Sequence, residues 1–201
     1  MNINSKKSLI IIIITALLGG ISYFTFNPTE TSKEPAKEVI EAPIPYDRNE
    51  YGRWLDEDKD CQNTRHEILI SSSQVTPIFK TDKNCLVTIG QWTGAYTNQT
   101  FDQTSQLDID HIVPLKEAHI SGASKWDKKK KSQFFNDTNN LIAVSRSANR
   151  SKGSKDPASW LPENESFHCT YIQTWIAVKK KYSLEIDSKE QIAINNVLDG
   201  C

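Results

Sequence analysis

Apolar and polar positions change period several times along the chain. From Gln106 to His111 they alternate residue by residue, with Leu107 and Ile109 apolar and Asp108 and Asp110 charged, the pattern of a strand with one buried face. Leu141 to Val144 is a short apolar run that reads as a second strand. Ser145 to Lys152, polar and basic, then reads as a short helix ended near Gly153 and Pro157. Upstream, the β-branched run Leu86 to Gly90 leads into Gln91, Trp92, Thr93 and Gly94, a strand followed by a turn. Tyr51, Trp54 and Leu55 have helical spacing and predict a short opening helix, whereas Thr64 to Ser71 suits either a strand or a short helix. A long insertion separates the two strands around residues 107 and 141. It carries helix-like segments at Lys116–Ile120 and Trp126–Phe135, split by Ser121 and Gly122. Near the end, a helix starting close to Ser166 aligns Cys169, Ile172 and Ile176 on one face. A second, with Ser188 and Gln191 as its capping pair, aligns Ile194, Val197, Leu198 and Cys201. No repeat is visible, and the mixed order of elements predicts an α+β domain.

The N-terminus departs from this pattern. Lys6 and Lys7 precede an apolar run from Leu9 to about Phe26, the form of an export signal. Its length lies between that of a signal core and that of a membrane span, so residues 1–26 read as a signal peptide or a retained anchor. Either one puts the rest of the chain outside the cytoplasm. Residues 27–45 are rich in Pro, Glu, Lys and Thr and read as a flexible linker, leaving 46–201 as the folded domain.

Export gives the four cysteines a purpose. Cys61, Cys85, Cys169 and Cys201 lack the close pairs of a zinc site, and in an oxidising compartment they predict two disulfides. Three connectivities are possible. An antiparallel pair of the last two helices would bring Cys169 beside Cys201, which leaves Cys61 with Cys85.

Charge narrows the function little. The chain has 24 Lys and Arg against 25 Asp and Glu, so the global basic excess of many nucleic-acid binders is absent. Two local clusters stand out: Lys125 with Lys128 to Lys131, and Arg146, Arg150, Lys152 and Lys155. The first is as readily a solvated helix face; the second lies beside the chemistry described next.

Asp110 and His111 sit at a strand end that leads into a loop. Neighbouring strand residues point to opposite faces, so one can hold a cation while the other reaches a water. Phosphodiester hydrolysis needs that division between a charge stabiliser and a base. His111 is the candidate base; His66, His119 and His168 lack such a setting, and His119 reads as a helix-surface residue.

Asp110-His111, Asn140 and Asn149-Arg150, in that order, resemble the HNH (ββα-metal) nucleases, including the HNH domain of the RNA-guided CRISPR nucleases. A wider set of words resembles the small secreted bacterial HNH nucleases. It comprises Tyr46-Asp47-Arg48, Trp54, Thr64-Arg65, Gly90-Gln91-Trp92, residues 108–115, Glu117-Ala118, residues 121–123, Trp126, Asn136-Asp137, residues 149–153 and residues 156–162. The resemblance runs from about Tyr46 to Cys201. It implies an α+β fold with a ββα-metal (HNH, His-Me finger) core, additional helices and disulfide staples. It also implies a metal-dependent endonuclease of low sequence specificity acting on DNA, with RNA as the alternative substrate, and working as a monomer. Asp110 and Asn149 would hold the metal. Both are oxygen donors, which favours Mg²⁺, with Mn²⁺ or Ca²⁺ as alternatives. Asn140 would fix the loop that carries His111, with Asn139 as a rival for that role. Arg146, Arg150 and Lys152 would contact phosphate. Arg65 would either clamp the scissile phosphate or pair with a nearby carboxylate. Asp108, on the same strand face as Asp110, would support the metal site. A delivered nuclease toxin and a non-catalytic extracellular nucleic-acid-binding module are the competing readings. Asn149-Arg150-Ser151 and Asn136-Asp137-Thr138 are also glycan acceptor patterns. A glycan on Asn149 would block the metal, so the expectation is a bacterial exporter.

Overall fold

The computed structural model describes residues 43–201, so the signal or anchor and most of the linker lie outside the described residues. A 3-10 turn, Arg48–Tyr51, opens the chain. It is followed by α1 (Thr64–Ser71), β1 (Ile78–Phe79), β2 (Val87–Gly94), β3 (Gln99–Gln103) and β4 (Leu107–His111). Then come α2 (Leu115–Ile120), α3 (Lys128–Phe135), β5 (Leu141–Ser145), α4 (Arg146–Lys152), α5 (His168–Tyr182) and α6 (Ser188–Leu198). β1, β2 and β3 form one antiparallel sheet in that order, and β4 and β5 form a second. The expected opening helix is only the 3-10 turn, capped by the Asp47 side chain on Asn49 N. Thr64–Ser71 is a helix, because Asn63 caps it by accepting from His66 N and a strand would leave that donor open.

β4 and β5 pair in register from Leu107 opposite Ser145 to His111 opposite Leu141. The alternation seen in the sequence sorts their side chains. Leu107, Ile109, Leu141 and Ala143 join Leu69, Val87 and Trp92 in one apolar cluster beneath α1 and β2. Val144 faces the larger core, built around Tyr51, Tyr96, Phe134, Tyr171 and Trp175. Where β2 passes the start of α4 the two backbones come close. A Cβ on Gly94 would lie 2.9 Å from the Phe101 ring and 3.5 Å from Ser145 N, so only glycine fits.

Ser145 caps α4 by accepting from Ala148 N, and Gly153, at φ +57, ends it. α5 and α6 follow the expected antiparallel arrangement, with one shift. The cap of α6 is Asp187, not Ser188. Its carboxylate accepts from Lys189 N and Glu190 N, while Glu190 accepts from Asp187 N in return. A carboxylate one residue earlier outcompetes the serine hydroxyl for the same donors.

Glu190 also reaches inward. It accepts from Trp175 Nε1 and from Lys179 Nζ at 2.7 Å, and Lys179 bonds Glu117 of α2 at 2.8 Å. Lys179 is fully buried, and its remaining contacts are the Glu185 carbonyl and the Ser121 hydroxyl. This saturated ionic junction ties α2, α5 and α6 together; removing one member would strand a buried charge.

Both disulfides form as expected, Cys61 with Cys85 and Cys169 with Cys201. The second closes a separation of 32 residues and pins the end of α6 to the first turn of α5. Replacing Cys169 and Cys201 together by serine is expected to cost about 3–4 kcal/mol of unfolding free energy, the loop-closure entropy the bridge removes. Urea denaturation of oxidised protein and variant measures this. A loss below about 1 kcal/mol would contradict it.

Candidate active site

The strand end and the helix meet at a pocket of about 340 Å³ lined by Tyr46, Arg48, Ile109, Asp110, His111, Pro114, Leu115, Lys116, Asn149, Gly153 and Ser154. Asp110 and His111 of β4 and the sequence-distant Asn149 of α4 therefore share one cavity. A larger groove of about 700 Å³ beside α3 contains Lys129, Lys130 and Lys181 but also Glu57, Asp127 and Asp137. Its charges cancel and it holds no histidine, so the smaller pocket is the chemical one.

His111 is 5% exposed. Its ring stacks on Trp54, with centroids 5.7 Å apart and planes 9° from parallel, and meets the edge of Phe135 at 5.1 Å. Nε2 lies 2.8 Å from the Phe135 carbonyl oxygen. A carbonyl can only accept, so Nε2 carries the hydrogen and Nδ1 is the lone-pair nitrogen. Burial lowers the imidazole pKa to about 3, and the charges of Arg48 and Lys152 push the same way against the hydrogen bond to Phe135. The ring is thus a neutral proton acceptor at neutral pH.

Asp110 is 7% exposed. Its Oδ2 accepts from the Tyr96 hydroxyl at 2.8 Å and from Lys152 Nζ at 2.8 Å. Asn149 Nδ2 donates to Asp108 Oδ2 at 3.0 Å, and Asp108 Oδ1 is 3.5 Å from Arg146 Nε. These bonds turn Oδ2 of Asp110 and the amide nitrogen of Asn149 into the fold. Among the described residues nothing in the chain bonds Asp110 Oδ1 or Asn149 Oδ1. One carboxylate oxygen and one amide oxygen, both left open in a polar pocket, suit a hard divalent cation whose other positions are filled by water.

Asn140 is completely buried. Its side chain accepts from Val113 N at 2.8 Å and donates to the Val113 carbonyl at 3.1 Å, and its own carbonyl accepts from Ile112 N. It therefore locks the turn just after His111. Asn139 instead bonds Asp137, within its own 3-10 turn.

Several expectations need correction. Lys152 is 0% exposed; with its ammonium between Asp110 and the His111 carbonyl, 2.8 Å from each, it cannot reach a substrate phosphate. Arg65 does not line the pocket: its guanidinium donates to the Leu107 carbonyl at 3.2 Å, and the nearby charge of Asp108 favours the carboxylate alternative. Arg146 pairs with Asp108, and Arg150 is exposed on α4. His119 is buried rather than on a helix surface. Its Nε2 donates to the Ile44 carbonyl, and Tyr46 packs edge-on against its ring. That packing anchors the segment that brings Arg48 to the pocket. Arg48 lies 5.6 Å from the Phe135 ring centroid, and with Lys116 it was not expected at the site. The word Tyr46-Asp47-Arg48 was the available signal, but nothing in its spacing links it to residues 110 and 149.

Outside the pocket, the carboxylates of Asp56, Asp58 and Asp60 lie within 4.8 Å of one another on an exposed loop. Burial, and then the charge of these residues, raises the Glu67 pKa.

Residues 64–197 match the family described as GmrSD restriction endonucleases, C-terminal domain. The chain belongs to this family. It is a family of nuclease-like domains, and the matched span includes Asp110, His111, Asn140 and Asn149. A relative from Arthroderma benhamiae, named an uncharacterized secreted protein, is 37% identical over 158 residues, which cover 78% of this chain and 76% of the relative. No solved structure matches. The relative of this GmrSD-type domain is fungal, so the expected bacterial setting is not supported.

The depressed His111 pKa has a measurable consequence. Between about pH 3 and the unfolded value of about 6.5, the unfolded chain binds a proton that the folded chain refuses. Stability from this group is complete above about pH 6.5 and declines as pH falls through that window, by about 2 kcal/mol at pH 5. Urea midpoints in chelator at about pH 7.5 and about pH 5 should therefore separate more for the native protein than for His111→Gln. Equal separations would show that the imidazole is not held neutral.

Proposed function

We propose that the chain is an exported, divalent-metal-dependent endonuclease that hydrolyses phosphodiester bonds of DNA with little sequence preference. The observation that carries this reading is the pocket itself. A histidine fixed with Nδ1 as acceptor shares it with Asp110 and Asn149, each with one oxygen left open. The family is one of nuclease-like domains, the relative is named as secreted, and two disulfides suit an oxidising compartment.

In this reading, Nδ1 of His111 accepts a proton from a water that attacks phosphorus. Trp54 and the Phe135 carbonyl hold the ring so that no reorientation is needed. Asp110 and Asn149 bind the cation, most simply Mg²⁺. When bound, it stabilises charge on the phosphate and the leaving oxygen. Asn140 keeps the turn after His111 in place. Arg48 and Lys116, which line the pocket, and exposed Arg150 supply phosphate contacts. Arg146 braces Asp108 beneath Asn149. Phosphate contacts carry no base information, which accounts for the low specificity.

The test is incubation of the full oxidised chain with plasmid DNA and with RNA, with Mg²⁺ or with chelator. Cleavage of DNA only with the metal is expected; cleavage of RNA alone would transfer the reading to a ribonuclease. His111→Ala should lower the rate by about 10²–10⁴-fold while the protein remains folded. Asp110→Ala should weaken metal binding more than Asn149→Ala, because a carboxylate holds a cation more strongly than an amide. A His111→Ala protein that cuts at the native rate would overturn the mechanism.

A further inference from the structure

The metal ligands have an unusual charge balance. Asp110 is the one carboxylate that lines the pocket, and a fully buried ammonium, Lys152, sits 2.8 Å from its Oδ2. The other ligand, Asn149, is neutral. Arg48 and Lys116 line the same cavity. Asp108, the next carboxylate along β4, accepts from Asn149 and is paired with Arg146, so its charge is spent as well. A divalent cation entering this pocket meets one carboxylate already neutralised by Lys152 and two further cationic groups, Arg48 and Lys116. Oxygen sites draw their cation affinity largely from ligand charge, so this one is weak on its own. A nucleic-acid phosphate would bring the missing negative charge, and Arg48 and Lys116 are placed to receive it.

We propose that Lys152 is a positioning residue. It fixes Asp110 while cancelling its charge, so metal and nucleic acid bind this pocket only weakly apart and cooperatively together. The inference rests on the nuclease reading for the identity of the second ligand, but its claim about Lys152 concerns the metal alone. Its geometry is clear. Lys152 reaches from the last residue of α4 to both Asp110 Oδ2 and the His111 carbonyl. Tyr96 independently holds the same carboxylate oxygen. Removing the ammonium therefore leaves Asp110 oriented but more negative.

The experiment titrates Mn²⁺ into the full chain carrying His111→Ala, so that DNA survives, with and without a short duplex. Asp110→Asn added to that protein identifies the heat that belongs to this site and subtracts binding at the Asp56, Asp58 and Asp60 loop. Mn²⁺ affinity is expected to rise by about tenfold or more with DNA, and DNA affinity to rise by the same factor with Mn²⁺. Lys152→Met should bind Mn²⁺ more tightly than its parent in the absence of DNA, and its gain on adding DNA should shrink. Tyr96→Phe, which loses a bond to Asp110 but no charge, should not tighten Mn²⁺ binding. If Lys152→Met fails to fold, coupling in the protein that retains Lys152 still decides the matter. Equal Mn²⁺ affinity with and without DNA, when DNA binds, overturns the cooperative site. Unchanged Mn²⁺ affinity in folded Lys152→Met overturns the role of Lys152. Failure of the duplex to bind at all would instead count against the nuclease reading, and the DNA-free comparison of Lys152→Met with its parent would still test the lysine.

Discussion

One buried ammonium joins the strand and the helix of the site. Lys152 Nζ bonds the carboxylate of Asp110 and the carbonyl of His111, so the end of α4 is fastened to the end of β4 at the proposed metal ligand and the proposed base. A lysine without a counter-charge would not stay buried there, and Asp110 without the lysine would be an uncompensated, nearly buried anion in the pocket wall. The alternation of β4, the cap at Ser145 and the stop at Gly153 can each vary a little. The distance between that ammonium and those two oxygens cannot. It sets where Asn149, one helical turn earlier, meets Asp108.

The remaining support comes from segments distant in sequence. The opening segment is held by His119, whose ring nitrogen reaches the Ile44 carbonyl and whose face receives Tyr46. It delivers Arg48 to the pocket rim. Trp54, from the same segment, covers one face of His111, and the last residue of α3 supplies the carbonyl that fixes its tautomer. With Trp54 on one face and Nε2 bonded, the His111 ring has little freedom left, which suits the role of base proposed for it.

How far the sequence reveals this varies with the kind of interaction. Period and capping are local, so β4, β5, α4 and the helix pair α5 and α6 were legible, and the helix pair made the link between Cys169 and Cys201 legible too. Asn140 was expected to hold the loop after His111 because of its place in an ordered set of motifs, and its side chain bonds Val113 there. The cap of α6 was misplaced by one residue because serine and aspartate compete there and charge decides. Lys152 was taken for a phosphate contact because four basic residues in a row of ten look alike in sequence. Only packing shows that one of them turns inward to Asp110 while Arg150 faces solvent. Arg48 and His119 were missed for the converse reason, since their roles depend on a contact spanning more than sixty residues.

The insertion between β4 and β5 is closed at its base by Asn140 bonding both polar atoms of Val113. Entropy makes a long closed loop only slightly costlier than a shorter one, about 0.6 kcal/mol for each doubling of length. The site needs α3 as far as Phe135 and needs His119 in α2, but residues 122–127 between those helices touch none of its groups directly. The chain could thus lengthen or shorten about exposed Gly122 and Lys125 without moving His111, provided Ala123 and Trp126 keep their places in the core and Asp127 still caps α3. Among descendants of such a domain, length should drift at that joint while the spacing from Asp110 to His111 and from Asn140 to Asn149 stays fixed.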